Sequence, residues 1–235
     1  MDLPILYEDA NIVAVAKPAG LITHSDGRTK EETAEDWFTK TYGIAHTDPP
    51  SSGYVHRLDR DTSGVLIFAK NPTAYNFLRK AFHDREVKKE YLAFVYGAPK
   101  EKEGVIDFAI GRSRKDFRLR SAQPKAKGLL REARTRYEVL AETDGYSLMK
   151  MSPETGRTHQ IRVHLKAIHH PIVGDALYSP NHSPALGISR LGLHAYALDL
   201  PLPSGGHARI VAPIPDDLAP ALTYFPGAKE KFALL

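Results

Sequence analysis

The 235-residue chain contains no cysteine. Disulfides, thiolate nucleophiles and cysteine-built zinc sites are thereby excluded, and a reducing compartment suits such a chain. The start, Met1-Asp2-Leu3-Pro4, has neither a basic n-region nor a long apolar h-region, so no secretory signal is expected. No apolar run approaches the roughly 20 residues of a membrane span. There is no P-loop, no glycine-rich dinucleotide fingerprint and no G-x-S-x-G elbow, which removes the common nucleotide, redox-cofactor and serine-hydrolase readings. Internal repeats, low-complexity tracts and a recognisable linker are also missing. These absences lead to the expectation of one soluble, cytoplasmic domain spanning 1–235, working as a monomer because no long apolar surface stripe stands out.

What is present is ordinary in amount and uneven in placement. A 42% hydrophobic and 26% charged composition is that of a globular protein with a sizeable core. The net charge of +4 hides an asymmetry. Between Arg112 and Arg136 stand ten basic and two acidic residues, and seven of the ten are arginine. The rest of the chain is net acidic. Concentrated cationic charge points to a polyanion, and the planar fork of arginine suits phosphate. The same segment could also be a solvated hairpin without a partner.

Strand signals dominate. Residues 5–7 and 12–16 read as short strands around a turn. Thr29 with Glu32 makes a capping box for a helix over 30–42. Residues 54–58 and 65–69 read as strands flanking an Asp-centred loop. Asn71-Pro72 opens a helix with a buried stripe of Ala74, Phe77, Leu78, Ala81 and Phe82. Strands are expected over 89–96, around 135–139, over 146–151, 191–200 and 208–212, with an irregular hairpin or loop over 111–127. A helix runs from Thr158, with Ile161, Leu165 and Ile168 on one side and His159, Arg162 and Lys166 on the other. A short helix over 216–225 closes the chain. Strands joined by turns, with helices inserted singly, define an α+β fold with a mixed, largely antiparallel central sheet and a few flanking helices.

The most informative run is His56-Arg57-Leu58-Asp59-Arg60-Asp61-Thr62-Ser63-Gly64. It sets Asp59 between arginines, and neighbouring cations favour the charged form of a carboxylate. Such a residue is a candidate nucleophile or base, or part of a surface ion-pair turn. Tyr91 is a candidate aromatic platform or a plain strand residue. Arg162 reads as a site cation or a helix-surface charge. The histidines at 159, 164, 169 and 170 invite a metal, but their spacing spreads them around a helix and no H-E-x-x-H occurs, so no metal site is assigned.

Four ordered blocks together resemble the RluA-type RNA pseudouridine synthases: KPAGLITH at 17–24, HRLDRDTSG at 56–64, KKEYLAFVYG at 88–97 and GRTHQIRVHL at 156–165. HPIVGD at 170–175 also fits, and the likeness runs over roughly 6–213. The resemblance implies isomerisation of uridine to pseudouridine in tRNA, large-subunit rRNA or both, without a cofactor. It implies that Asp59 is the essential carboxylate, that Tyr91 stacks on the uracil and is a candidate in proton transfer, and that Arg162 pairs with Asp59. RNA contacts are expected from His56, Arg57, Arg112, Arg114, Lys115, Arg157 and Gln160. Many members carry an additional N-terminal RNA-binding domain. Here the catalytic-type sequence begins within the first ten residues, so RNA affinity is expected from the basic segment. A fold-sharing protein that binds RNA without catalysis and a metal-dependent RNA hydrolase are the alternatives. Whether Asp59 attacks the sugar or removes a sugar proton to give a glycal is left open.

Overall fold

A computed structural model describes residues 1–25, 27, 30–43, 53–114, 116, 119–122, 126–228 and 231. Its strands in chain order are β1 (Ile5–Glu8), β2 (Ile12–Lys17), β3 (Ser63–Ala69), β4 (Lys88–Tyr96), β5 (Glu103–Ile106), β6 (Ile110–Ser113), β7 (Arg120–Ala122), β8 (Ala126–Arg131), β9 (Thr135–Thr143), β10 (Tyr146–Pro153), β11 (Leu193–Pro201) and β12 (His207–Val211). The helices are α1 (Ala34–Tyr42), α2 (Pro72–His83) and α3 (Gln160–Ala167), with a 3-10 helix at Ala219–Tyr224. The fold is α+β with mostly antiparallel strand pairing, as the sequence suggests. Among the described residues, no helix is long and apolar enough to cross a membrane. The chain divides into two compact units, one of Met1–Lys89 with Ala195–Pro213 and one of Glu90–His194 with Ile214–Leu235.

In the first unit, β1, β2, β3 and the part of β11 from Ala195 lie side by side, and β12 pairs with β11. The run over β3 is buried at every position, which explains its uninterrupted apolar character. Helix α2 covers this sheet with Ala74, Tyr75, Leu78 and Ala81. Phe77, expected in the stripe, is exposed, and Tyr75 takes the buried place. Asn71 caps α2 by accepting from the Ala74 amide at 2.9 Å, with Pro72 in the first turn; such caps contribute about 1 kcal/mol.

Two expectations in this unit are corrected. Helix α1 starts at Ala34, capped by Thr33 in a capping box with Asp36, and not at 30 behind Thr29, which lies outside the described residues. The Ala34 and Glu35 amides donate to the Ile22 and Thr23 carbonyls, so the preceding chain is held in an extended approach and helix winding begins only there. Residues 54–58 form no strand; a single bridge joins Tyr54 to Phe68. Side chains take over the pairing: the Ile67 amide donates to Nε2 of His56, and the Leu58 amide donates to Oγ1 of Thr23.

In the second unit, β4, β10, β9 and β5 run in that order. Their inner face carries Ala93, Val95, Met149 and Met151, which pack against Ile161 and Leu165 of α3. The basic segment, expected as an irregular hairpin or loop, contains a separate three-stranded sheet in the order β7-β6-β8. It rests on α3 through Ile110, Ala122, Val163 and Tyr178. The final helix is the short 3-10 turn at Ala219–Tyr224, placed against the core by Leu222 and Phe225.

Candidate active site

Lys17, at the end of β2, is 1% exposed. A buried ammonium must be fully hydrogen-bonded, and its Nζ donates to three backbone carbonyls: Pro18 at 2.9 Å, Leu21 at 2.7 Å and Arg60 at 3.0 Å. The Gly20 amide donates to the same Arg60 carbonyl at 2.9 Å. Thr23 holds the other side of the loop, its hydroxyl donating to the Leu58 carbonyl at 2.9 Å while accepting from the Leu58 amide at 3.2 Å. Leu58 and Arg60 are therefore both pinned. Asp59 lies between them, half-buried, its carbonyl accepting from the Thr62 amide at 3.1 Å. The loop ends at Gly64, whose φ of +123° and close approach to the Ala195 carbonyl exclude a side chain.

The arginines that bracket Asp59 have partners of their own. Arg60 forms a two-pronged contact with Glu31, Nη2 to Oε2 at 2.6 Å and Nη1 to Oε1 at 3.3 Å, and donates from Nε to the Gly20 carbonyl. Arg57 is exposed and reaches Nε2 of His24 at 3.5 Å; the His24 ring stacks on Tyr54 with centroids 4.4 Å apart. His56, expected at the RNA, accepts the Ile67 amide on Nε2 and stacks on Phe82 of α2 at 5.0 Å. Burial, followed by the positive charge of Lys89, pushes its pKa down to about 3. It is a neutral ring that fixes the approach to the loop.

The second unit holds the other expected residues. Tyr91 is half-buried on β4, opposite Met151 of β10, with its ring against the apolar cluster below the sheet. Arg162 does not share the solvent face of Lys166, as helical spacing suggested. Its side chain is 4% exposed and grips the fully buried Asp175 through Nε to Oδ2 at 2.8 Å and Nη2 to Oδ1 at 2.7 Å. Asp175 also accepts the Leu177 and Tyr178 amides, each at 3.0 Å. Gln160 is buried, and its amide is committed to the protein: Oε1 accepts from the Thr155 hydroxyl and the Arg157 amide, and Nε2 donates to the Arg134 carbonyl and to Thr135. It shapes the turn before α3 and is not presented to a ligand. Arg157 donates from Nε to the Glu132 carbonyl.

Arg112 and Arg114 are exposed; Lys115 lies outside the described residues. In the small sheet, Arg112 stands opposite Arg120 on one side and Lys127 on the other. Residues opposite one another share a face, and like charges so placed are destabilising. None of these three has a carboxylate partner among the described residues. Arg112 stands out in the sequence but the row does not, because the strands of this segment show weak periodicity. Among the described residues there is no group of three His, Cys, Asp or Glu side chains placed to hold a metal ion. His164 is instead buried between the Thr135 hydroxyl and the Phe108 carbonyl, and burial pushes its pKa down.

The chain is similar to known proteins over most of its length. The family model described as RNA pseudouridylate synthase matches residues 11–167. Ribosomal large subunit pseudouridine synthase D of Nitrosomonas europaea is 40% identical over 227 residues, which cover 94% of this chain and 64% of that protein. tRNA pseudouridine synthase C of Haemophilus ducreyi is 39% identical over 215 residues, 84% of this chain and 85% of that one. Among solved structures, human RNA pseudouridylate synthase domain containing 4 superposes with a TM-score of 0.75 at 27% identity, covering 94% of this chain and 92% of that chain. Fold and matched sequence thus define a class, the isomerases that modify uridines in RNA. Within it, the chain belongs to the RNA pseudouridylate synthase family, of the RluA type.

Proposed function

We propose that this protein converts uridine to pseudouridine in structured RNA, with Asp59 as the catalytic carboxylate. The observation that carries this reading is the loop itself: the residues on both sides of Asp59 are pinned by Thr23, Lys17 and Gly20, while Asp59 is the acid they present. A side chain on a fixed backbone keeps its attack geometry, and this lowers the entropic part of the barrier.

The reaction breaks the bond between uracil N1 and the ribose C1′, turns the base, and forms a bond from C5 to C1′; C5 gives up its proton and N1 gains one, so the composition is unchanged. It is redox-neutral and consumes no second substrate. Asp59 either adds to C1′ and is later displaced, or takes a sugar proton and returns it. The uridine must leave the stack first, at a cost of a few kcal/mol; Tyr91 offers a ring on which the base can stack. Arg162 is assigned, on the family resemblance of its motif, to hold the charge of Asp59 in place. Arg57 is assigned to RNA beside the flipped base, and the Arg120–Arg112–Lys127 row to phosphates. One relative named above is a ribosomal large-subunit enzyme and another a tRNA enzyme, and both RNA classes are proposed as substrates.

The test is Asp59→Asn. The variant should keep the circular-dichroism spectrum and thermal midpoint of the parent and form no pseudouridine on transcripts of tRNA or large-subunit rRNA. Parental activity in that variant would remove Asp59 from the chemistry.

A further inference from the structure

Tyr178 is buried, lies outside every motif discussed above, and touches more of the charged machinery of its unit than any packing role requires. Its ring lies under two cations, with the Arg162 guanidinium carbon 5.0 Å and the Lys166 Nζ 5.6 Å from the centroid. A planar guanidinium over an aromatic face is attracted electrostatically, and more strongly when desolvated. Asp175 grips Arg162 by Nε and Nη2 and also accepts the Tyr178 amide. The same short segment thus fixes Arg162 from its edge and from its face.

The hydroxyl makes a second set of connections. It accepts the Arg120 amide of β7 at 2.9 Å and lies 2.8 Å from Nδ1 of His159. Arg120 belongs to the cation row of the small sheet, which has no carboxylate partner among the described residues. His159 caps α3 with φ of +58°, a left-handed conformation, which costs a non-glycine residue energy and persists only when its surroundings impose it. The Tyr178 hydroxyl is one such constraint, and Arg162 lies three residues further along the same helix. One side chain therefore joins the strand bearing the cation row, the first turn of α3 and the face of Arg162.

We propose that Tyr178 is a positioning residue for Arg162, setting the plane of its guanidinium and tying that plane to β7. This rests on the reading that Arg162 serves the reaction. RNA gripped by the cation row then steadies β7, and through the Tyr178 hydroxyl it steadies the Arg162 guanidinium.

The test compares Tyr178→Phe, Tyr178→Leu, Arg162→Lys and the double variant Tyr178→Phe/Arg162→Lys, in the full chain with a tRNA transcript. The single-turnover rate at saturating RNA and the RNA Kd are read separately. Tyr178→Phe keeps the ring and loses the ties to β7 and His159. It should lower the saturated rate by roughly threefold to tenfold, the order of effect of hydrogen bonds that act through a second residue, with Kd unchanged. Tyr178→Leu, if it folds, should lose more. In the Arg162→Lys background, Tyr178→Phe should add little, because the group it positions is gone. Independent, multiplying losses would overturn the proposal, as would a parental saturated rate in Tyr178→Phe or a loss seen only in Kd. An inert Arg162→Lys would overturn the role of Arg162 and this proposal with it. A damaging Arg162→Lys with a silent Tyr178→Phe would overturn this proposal alone.

Discussion

Arg162 and Asp175 form a two-pronged ion pair closed off from solvent, with 4% and 0% of the side chains exposed. Two backbone amides complete the carboxylate, so neither charge is stranded. Such pairs contribute little net stability compared with apolar replacements, but removing one partner leaves a buried charge.

Asp175→Ala should therefore cost about 3–5 kcal/mol in denaturant unfolding, far more than removing an exposed pair such as Arg60–Glu31, worth about 0–1 kcal/mol. If Asp175→Ala unfolded at the parental midpoint, the pair would not be holding the buried arginine.

His56 predicts how stability responds to acid. Its folded-state pKa is pushed from the ordinary 6.5 to about 3, so the unfolded chain binds a proton there that the folded chain refuses. Stability is complete above about pH 6.5 and falls as the pH drops towards 3, by at most about 1.4 kcal/mol per pH unit from this group. His164, also pushed down by burial, adds in the same direction. His56→Gln should flatten the acid limb of a stability-against-pH curve while leaving the plateau near pH 8 lower through the lost ring stack. An unchanged acid limb would show that His56 is protonated in the folded protein.

The row Arg120–Arg112–Lys127 predicts a salt dependence. Arg112→Glu and Lys127→Glu should each weaken RNA binding and reduce the slope of log K against log salt by about 0.7–0.9 per lost phosphate contact. Equal slopes in parent and variants would mean that this face does not meet RNA.

The sequence reveals the parts whose signals are local. The Asn71-Pro72 cap, the apolar run of β3 and the alternation of β4 each depend on neighbours a few residues away, and each appears where expected. The start of helix α1 is ambiguous in sequence because two capping-box signatures follow one another, Thr29 with Glu32 and Thr33 with Asp36, and the Ile22 and Thr23 carbonyls favour the second. The small sheet was obscured because β6 puts a core residue, Ile110, and a solvent cation, Arg112, on the same face. Period-two alternation then no longer separates apolar from polar. Arg162 and Lys166 are four apart and look equivalent; burial of the first is decided by Asp175, thirteen residues away, which no helical periodicity records. Asp59, Tyr91 and Arg162 are singled out in the sequence by resemblance alone, whereas the bonding of Lys17, Thr23 and Tyr178 to backbone groups and ring faces follows no spacing rule.

Lys17 carries a further consequence. Its three donors are spent on the carbonyls of Pro18, Leu21 and Arg60, so its amine has no lone pair to offer while the loop is closed. In the folded protein it is chemically silent among the lysines, beyond the reach of acyl donors that modify exposed amines. Its reactivity would rise when the segment bearing Asp59 lifts away and takes the Arg60 carbonyl with it, so the nucleophilicity of Lys17 is a built-in gauge of how often the loop around Asp59 opens.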